Sequence, residues 1–567
     1  MLNRTVLFSI SVALVFALFS PSYAGIEKIP GVSKNVPFLF TISLTKDHQA
    51  AIEKIADLAI KSQQFEKMAE AFKQKNGIEF PKEMVSNAKN ITSFTLGAFL
   101  NTADLREDPC ALLLATFDGE KEAAEFVKNF KNTLISGAKK QSKEMLFTES
   151  DENGLKVSTP SLKSKDADPF KTSEPRLIQS GNSAGLFIFK KKDVAKSQAA
   201  LKSVAAVLKN PEEGILSNKS AKAAFDKLAK DATFFFYMDG ALYKQGAIEN
   251  GRQEMADLVS SIAAAGSING SFSKIDTKWA VTFGEMKDKD ASTNISFIKK
   301  LLSAEKNERH PSNLLPAGIS TLLSFKLNLG KEFVDSPQMV SAKPVISMMS
   351  GLSLEDDLLS WMNGDVFLAF GENASEFYIG IGSKNQDNAL KFFVKFQDIL
   401  KKAQAAFEFK DDTAGGIKVK TAALSNTPPF LKDIVITVGT LGDYMIIASS
   451  KAVFEKVAAV KKETALASSP EAKELAAWNP SSFLSFYINY DKFQALAKKF
   501  NENVGAEFKD QKFNAFIKFF TANANFENNE ITGSSTIIIA PEKAGESFLD
   551  ILNTPQAKEA IERIKNE

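Results

Sequence analysis

One cysteine and two histidines are spread over 567 residues. A single thiol forms no intrachain disulfide and no cysteine-rich metal site, and two imidazoles leave little room for histidine ligands or bases. Charge of one sign is also missing, since 70 Lys and Arg stand against 68 Asp and Glu. A net charge of +2 supplies neither the basic face that a nucleic-acid partner needs nor a polybasic membrane run. Tyr and Trp are scarce, at 7 and 3 against 47 Phe. Surfaces that bind sugars or proteins favour Tyr and Trp, which stack and also hydrogen-bond. Phe enrichment points instead to core packing, or to a dry groove for an apolar ligand.

What is present is a globular composition, 44% apolar and 24% charged, long enough for more than one core. At the N-terminus Arg4 precedes an apolar run from Val6 to Phe19, broken by Ser9 and Ser11 and ended by Pro21. Ser22-Tyr23-Ala24 places small residues where a signal peptidase reads, which predicts a signal peptide over 1–24 cleaved before Gly25. The run is short for a span of ~20 residues, and no later segment approaches one. The expected location is therefore periplasmic or extracellular, with no transmembrane span after cleavage. An oxidising compartment also suits a chain that avoids cysteine. Cys110, at the head of an apolar run, reads as a small buried hydrophobe.

The mature sequence repeats itself. A strand after a Pro occurs at Pro37–Leu44 and again at Pro316–Leu327. Leu112–Phe117 leads into an amphipathic helix at Glu120–Leu134, and Phe377–Ile381 into one at Gln386–Leu400. Phe126, Val127, Phe130 and Leu134 share one helical face, as do Phe392, Phe393, Phe396 and Leu400. Hairpins with acidic and Gly turns follow at Asp151–Gly154 and Asp411–Gly416. Each copy continues through a second hairpin, a helix, Thr233–Tyr237 or Ser482–Tyr487, and a closing strand and helix. The reading is a tandem duplication: domains at 25–303 and 313–567, joined by a polar linker at 304–312. Hairpins interrupt the strand–helix alternation, so the predicted class is α+β, mostly antiparallel sheet with amphipathic helices on one face. Pro160–Pro175 reads as a surface loop.

Few patterns carry chemistry. Gly181-Asn-Ser183-Ala-Gly185 matches a nucleophile elbow, but a strand and not a helix follows it, and the second copy reads Gly439-Thr-Leu-Gly442 without a Ser. Only His310 lies downstream to serve as its base, in the linker. Ser183 is therefore expected in a Gly-rich turn, and its removal is expected to be silent. Gly380-Ile-Gly382 lacks the third Gly of a dinucleotide fingerprint, since position 385 is Asn. Glu355-Asp356-Asp357 opens a helix, where carboxylates offset the amide dipole. Asp411-Asp412 reads as a hairpin tip. Neither cluster has calcium-loop spacing. No catalytic, cofactor-binding or metal residue is assigned.

The segment Leu354–Phe370, Leu-Glu-Asp-Asp-Leu-Leu-Ser-Trp-Met-Asn-Gly-Asp-Val-Phe-Leu-Ala-Phe, resembles exported bacterial proteins of unknown function. Their shared feature is an Asp-Leu-x-x-Trp-Leu-Gly-type helix before a strand; Leu315-Pro-Ala317 is similar to their strand opening. In the first half Asn101–Asp108 stands in that place without the Trp. The resemblance implies an exported bacterial α+β domain and brings no catalytic residues. The expected function is a non-catalytic envelope protein that acts by binding or scaffolding through a protein or apolar partner, without nucleic acid. A carrier of a lipid or other apolar ligand, and a carboxylate-based hydrolase, are the alternatives.

Overall fold

A computed structural model of the chain describes most of residues 26–50, 90–99, 110–140, 144–163, 173–240, 259–283, 310–402, 408–423, 434–472, 482–493 and 517–540. The expected signal peptide over 1–24, Asn101–Asp108, most of the expected linker and the expected closing helix at Ala544–Leu552 lie outside the described residues. Backbone packing divides the chain into two compact units, Met1–Gly284 with Ile539–Glu567, and Glu285–Ile538.

Among the described residues the first unit carries ten strands: β1 (Phe38–Ser43), β2 (Ile91–Phe99), β3 (Cys110–Phe117), β4 (Met145–Glu152), β5 (Leu155–Leu162), β6 (Ser173–Ser180), β7 (Ser183–Lys190), β8 (Phe234–Asp239), β9 (Val259–Ile268) and β10 (Lys274–Phe283). They pair antiparallel in the order β10-β9-β8-β1-β2-β3-β7-β6-β5-β4. Helices α1 (Glu120–Lys140), α2 (Val194–Lys209) and α3 (Lys219–Leu228) pack on this sheet. Tight turns set the register, and the β4–β5 turn places Asn153 and Gly154 at φ 61° and 83°, the left-handed pair that a two-residue hairpin requires.

Helices cover both faces of the sheet, where one was expected. Leu112 and Leu114 of β3 pack with Leu201 and Val204 of α2 and with Ala221 and Leu228 of α3. Ala115 and Phe117, of opposite parity, pack with Val127, Phe130 and Leu134 of α1. The cause is in the strand itself: Leu112-Leu-Leu-Ala is apolar at every position, so both of its sides need cover. Pro160–Pro175 also differs from expectation. Pro160 lies in β5 opposite Phe147, Pro175 lies in β6 opposite Ile188, and 164–172 is outside the described residues. Pairing of β5 with β6 spans only Lys156–Ser158, so both prolines sit where a strand has an unpaired side and a missing amide breaks no ladder bond.

In the second unit the strands are β11 (Thr321–Lys326), β12 (Met362–Phe370), β13 (Phe377–Ser383), β14 (Lys410–Ala414), β15 (Ile417–Ala423), β16 (Val435–Leu441), β17 (Tyr444–Ala448), β18 (Leu484–Asn489), β19 (Ile517–Glu527) and β20 (Glu530–Ile539). Their order is β20-β19-β18-β11-β12-β13-β17-β16-β15-β14. Helix α4 (Pro337–Ser350) precedes β12, α5 (Gln386–Lys402) follows β13, and α6 (Lys451–Ala458) follows β17. Here too both faces are covered. Val453, Phe454 and Val457 of α6 pack on Phe367, Tyr378 and Ile446. Ala389 and Phe393 of α5 pack on Trp361, Val438 and Met445. Helix α4 keeps an apolar side outward, with Val340, Val345 and Met348 at 53%, 49% and 82% exposure. Among the described residues no helix is long and apolar enough to cross a membrane.

A β-bulge in β12 shifts its register between Met362 and Val366. Gly364 sits in it at φ +94°, and a Cβ there would lie 1.9 Å from the Leu327 carbonyl oxygen. Gly181, at φ +53° in the β6–β7 turn, has open space around its Cβ position. Both would strain an L side chain, but only the first adds a clash with backbone. Gly364→Ala is expected to cost about 3 kcal/mol or more and Gly181→Ala about 1 kcal/mol. Denaturant unfolding of the two variants checks this; equal costs would refute the bulge geometry.

Candidate functional site: the aromatic faces of the sheets

Strand alternation builds the site. In β1, β8, β9 and β10, Leu39, Phe235, Tyr237, Ala263, Ala265 and Ala280 point to the side covered by α3 and are fully buried. Their neighbours in sequence, Phe38, Phe40, Phe234, Phe236, Ala264 and Trp279, lie on the other side and stay only half-buried. Register brings these together. Phe40 stands opposite Phe236, Phe236 opposite Ala264, and Ala264 opposite Trp279, so a methyl lies between two large rings. The Phe38 and Phe236 rings meet edge to face at 5.3 Å, and Phe40 and Phe234 lie 6.5 Å apart.

The second unit repeats this chemistry on β11, β18 and β19. Leu322 and Tyr487 are buried on the α6 side, while Leu323, Leu484, Phe486 and Phe520 are half-buried on the other. Phe486 and Phe520 approach to 5.8 Å, and Phe325 is 39% exposed. Fully burying such a side chain is worth roughly 2–3 kcal/mol, and a half-buried one leaves part of that unrealised. Phe40 and Phe234 border the core cluster under α1, and what these rings leave open is apolar. The alternation is plain in Phe38-Leu-Phe40 and Phe234-Phe-Phe236, yet those Phe read as core, because period alone does not tell a covered face from a half-covered one.

Residues with the chemistry for catalysis or metal binding are placed by structural bonds. Ser183 begins β7 immediately after the Gly181-Asn182 turn; its hydroxyl lies 3.3 Å from that of Thr116, and a strand follows it. His310 is not in an exposed linker but buried, with Nδ1 2.9 Å from the Ser312 hydroxyl. Gly380 and Gly382 lie within β13 and not in a phosphate loop, and Asn385 accepts from the Asn388 amide at the start of α5. Asp411 and Asp412 are strand residues of β14 and not the hairpin tip, which Gly415 and Gly416 form at positive φ. Asp411 pairs with Lys420 at 2.8 Å and Asp412 with Lys451 at 2.9 Å. Cys110 opens β3 opposite Phe99. Among the described residues no three His, Cys, Asp or Glu side chains gather closely enough to hold a metal ion.

The Trp segment is a structural knot. Leu354–Leu359 forms a π-helical turn that ends before Trp361, and the strand starts at Met362. Ser353 caps this turn by accepting from the Asp356 amide at 3.1 Å, and Asp357 accepts from the Ser353 amide at 2.8 Å. Lys395 of α5 ion-pairs with Asp357 and, with that amide, holds its carboxyl below the usual range. Glu355 pairs with Lys343 of α4. Trp361 is fully buried; its indole N–H donates to the Asp357 carbonyl at 2.7 Å, and its ring lies 5.6 Å from Phe392.

Two antiparallel α+β units with a buried Trp knot and aromatic sheet faces define the class, and it is one without an assigned activity. The chain belongs to DUF3352, a family described as protein of unknown function, which matches residues 4–540. The expected membership of an uncharacterised family is met. No curated protein matches the sequence. Two solved structures, crystal forms III and I of TP0453, are 8% and 10% identical to it. They cover 50% and 51% of this chain and 90% of their own, at a TM-score of 0.25, a likeness too slight to carry an argument.

Ser183→Ala removes one hydroxyl contact and is expected to cost about 1 kcal/mol of stability with no change in ligand binding. Parallel unfolding and binding measurements check this, and lost binding in a stable variant would reopen the elbow reading.

Proposed function

We propose that the chain is an exported, non-catalytic envelope protein that binds a lipid or similar apolar ligand on the aromatic faces of its sheets. One observation carries the reading: Phe38, Phe40, Phe234 and Phe236 stay half-buried while the alternating residues of the same strands are fully buried. Phe rings without a polar edge suit a dry ligand better than a protein partner. That favours a carrier over a scaffold. Of the carboxylates picked out by sequence, Asp357, Asp411 and Asp412 are held in ion pairs with Lys395, Lys420 and Lys451, which supports binding over hydrolysis.

Duplication into domains at 25–303 and 313–567 is part of the proposal, and several correspondences support it. The ten strands of each unit pair in the same order. Leu39 stands opposite Tyr237 as Leu322 stands opposite Tyr487. Register shifts fall at Ile91/Ser93 and at Met362/Val366, on corresponding strands. Ile215 donates its amide to Val32 at 2.7 Å, and Leu466 donates to Leu315 at 2.7 Å. Asn218 and Ser469 each then accept from the amide three residues on.

Native mass spectrometry of protein taken from its own envelope is expected to find a non-covalent apolar adduct on a chain that begins at Gly25. After delipidation the protein should take up a fluorescent fatty acid, and Phe236→Ser or Phe325→Ser should weaken uptake about tenfold. Phe325 is exposed enough for its loss to leave folding intact. An unmodified Met1 start would refute cleavage before Gly25, and no adduct with no uptake would refute the carrier.

A further inference from the structure

The segment His310–Ser320 is a strap across one end of the second unit's core. Leu315 and Ile319 are fully buried in that core. Backbone bonds fasten the strap on three sides. The Leu466 amide donates to Leu315 at 2.7 Å, Ala317 to Thr464 at 3.1 Å, and Ser320 to Phe370 at 2.8 Å, while Asn489 donates back to Ser320 at 2.7 Å. Its opening turn, Pro311–Asn313, is capped by His310, whose Nδ1 accepts from the Ser312 amide at 3.2 Å. A ring nitrogen that accepts holds no proton, so the imidazole is the neutral tautomer with its hydrogen on Nε2.

The surroundings oppose a second charge. Burial first, and the Lys326 ammonium second, bring the His310 pKa down to about 4. Lys326 is itself buried at the end of β11, on the same side as Leu322 and Ser324. Directly opposite it on β12 stands the buried Asp365, whose carboxylate accepts from Tyr444 of β17 at 3.4 Å. Tyr487 of β18 is also buried, opposite Leu322, and Lys492 donates to the Ala317 carbonyl of the strap at 3.4 Å while pairing with Glu372 at 3.0 Å; among these described groups Lys326 is the one whose charge acts on the ring.

We propose that His310 is an acid-operated latch: protonation converts Nδ1 from acceptor to donor, uncaps the Pro311–Asn313 turn, sets a second cation beside Lys326 and frees the strap. Only a proton from solvent is taken up. The folded pKa lies below the ~6.5 of a free imidazole, so the latch is fully closed above that value and is lost as pH falls toward 4. The proposal does not depend on the ligand reading.

Hydrogen exchange on the full mature chain at pH 7.5 and 5.0, corrected for intrinsic rates, tests it. Amides of 314–320 are expected to lose protection by roughly 30-fold at pH 5.0, while amides of β16 and β17 do not. His310→Asn keeps an acceptor for the Ser312 amide but does not titrate, and should flatten the dependence to under about threefold. Lys326→Met removes the neighbouring charge and should move the midpoint of opening toward higher pH while shrinking its amplitude. Equal protection of the wild-type strap at both pH values would overturn the latch. So would an Asn variant that still opens with acid, or a Met variant whose opening matches wild type.

Discussion

Two-sided apolarity of the central strands is the constraint on which each unit rests. A strand that is apolar at every position must be covered above and below, and antiparallel pairing forces its neighbours into the same requirement. In the first unit α1 answers on one side of β3 and β7, and α2 with α3 on the other. In the second unit α5 and α6 divide the task in the same way. Among the described helices, cover is complete over these central strands and thinner over β1, β8, β11 and β18. The half-buried Phe residues lie where it thins. The binding surface proposed for the protein is thus the same face that α1 or α5 seals elsewhere.

Much of the scaffold was legible from residue order alone. Strand positions, the Glu120 and Gln386 helices and the β4–β5 turn follow from period and turn chemistry. The misreadings are equally physical. Asp411 and Asp412 look like turn residues, but Gly415 and Gly416 tolerate left-handed φ better and take the turn, which moves the acids into β14. Pro160 and Pro175 look like loop residues until the short β5–β6 ladder leaves room for them. One-faced helix packing was inferred from the hairpins; the parity of Leu112-Leu-Leu-Ala contains the better answer.

The site was harder to read, for a different reason. Whether Phe236 is core or surface depends on which helix lies over β8, and no local pattern contains that information. His310 sits in a polar stretch ending at Ser312, and its burial follows from the strap that begins there. The Trp361 segment, by contrast, stands out in the sequence and proves to be architecture. It ties a π turn, the bulge at Gly364 and α5 into one packed knot, with Glu355 paired to Lys343 and Asp357 to Lys395.

The outward side of α4 has a chemical consequence. Met348 presents a thioether that is 82% exposed, beside the exposed Val340 and Val345, which are inert to oxidants. Conversion to the sulfoxide would make the helix more polar without touching any buried contact, and methionine sulfoxide reductases reverse that change. Oxidation there would therefore change the surface of α4 and leave the buried core as it is.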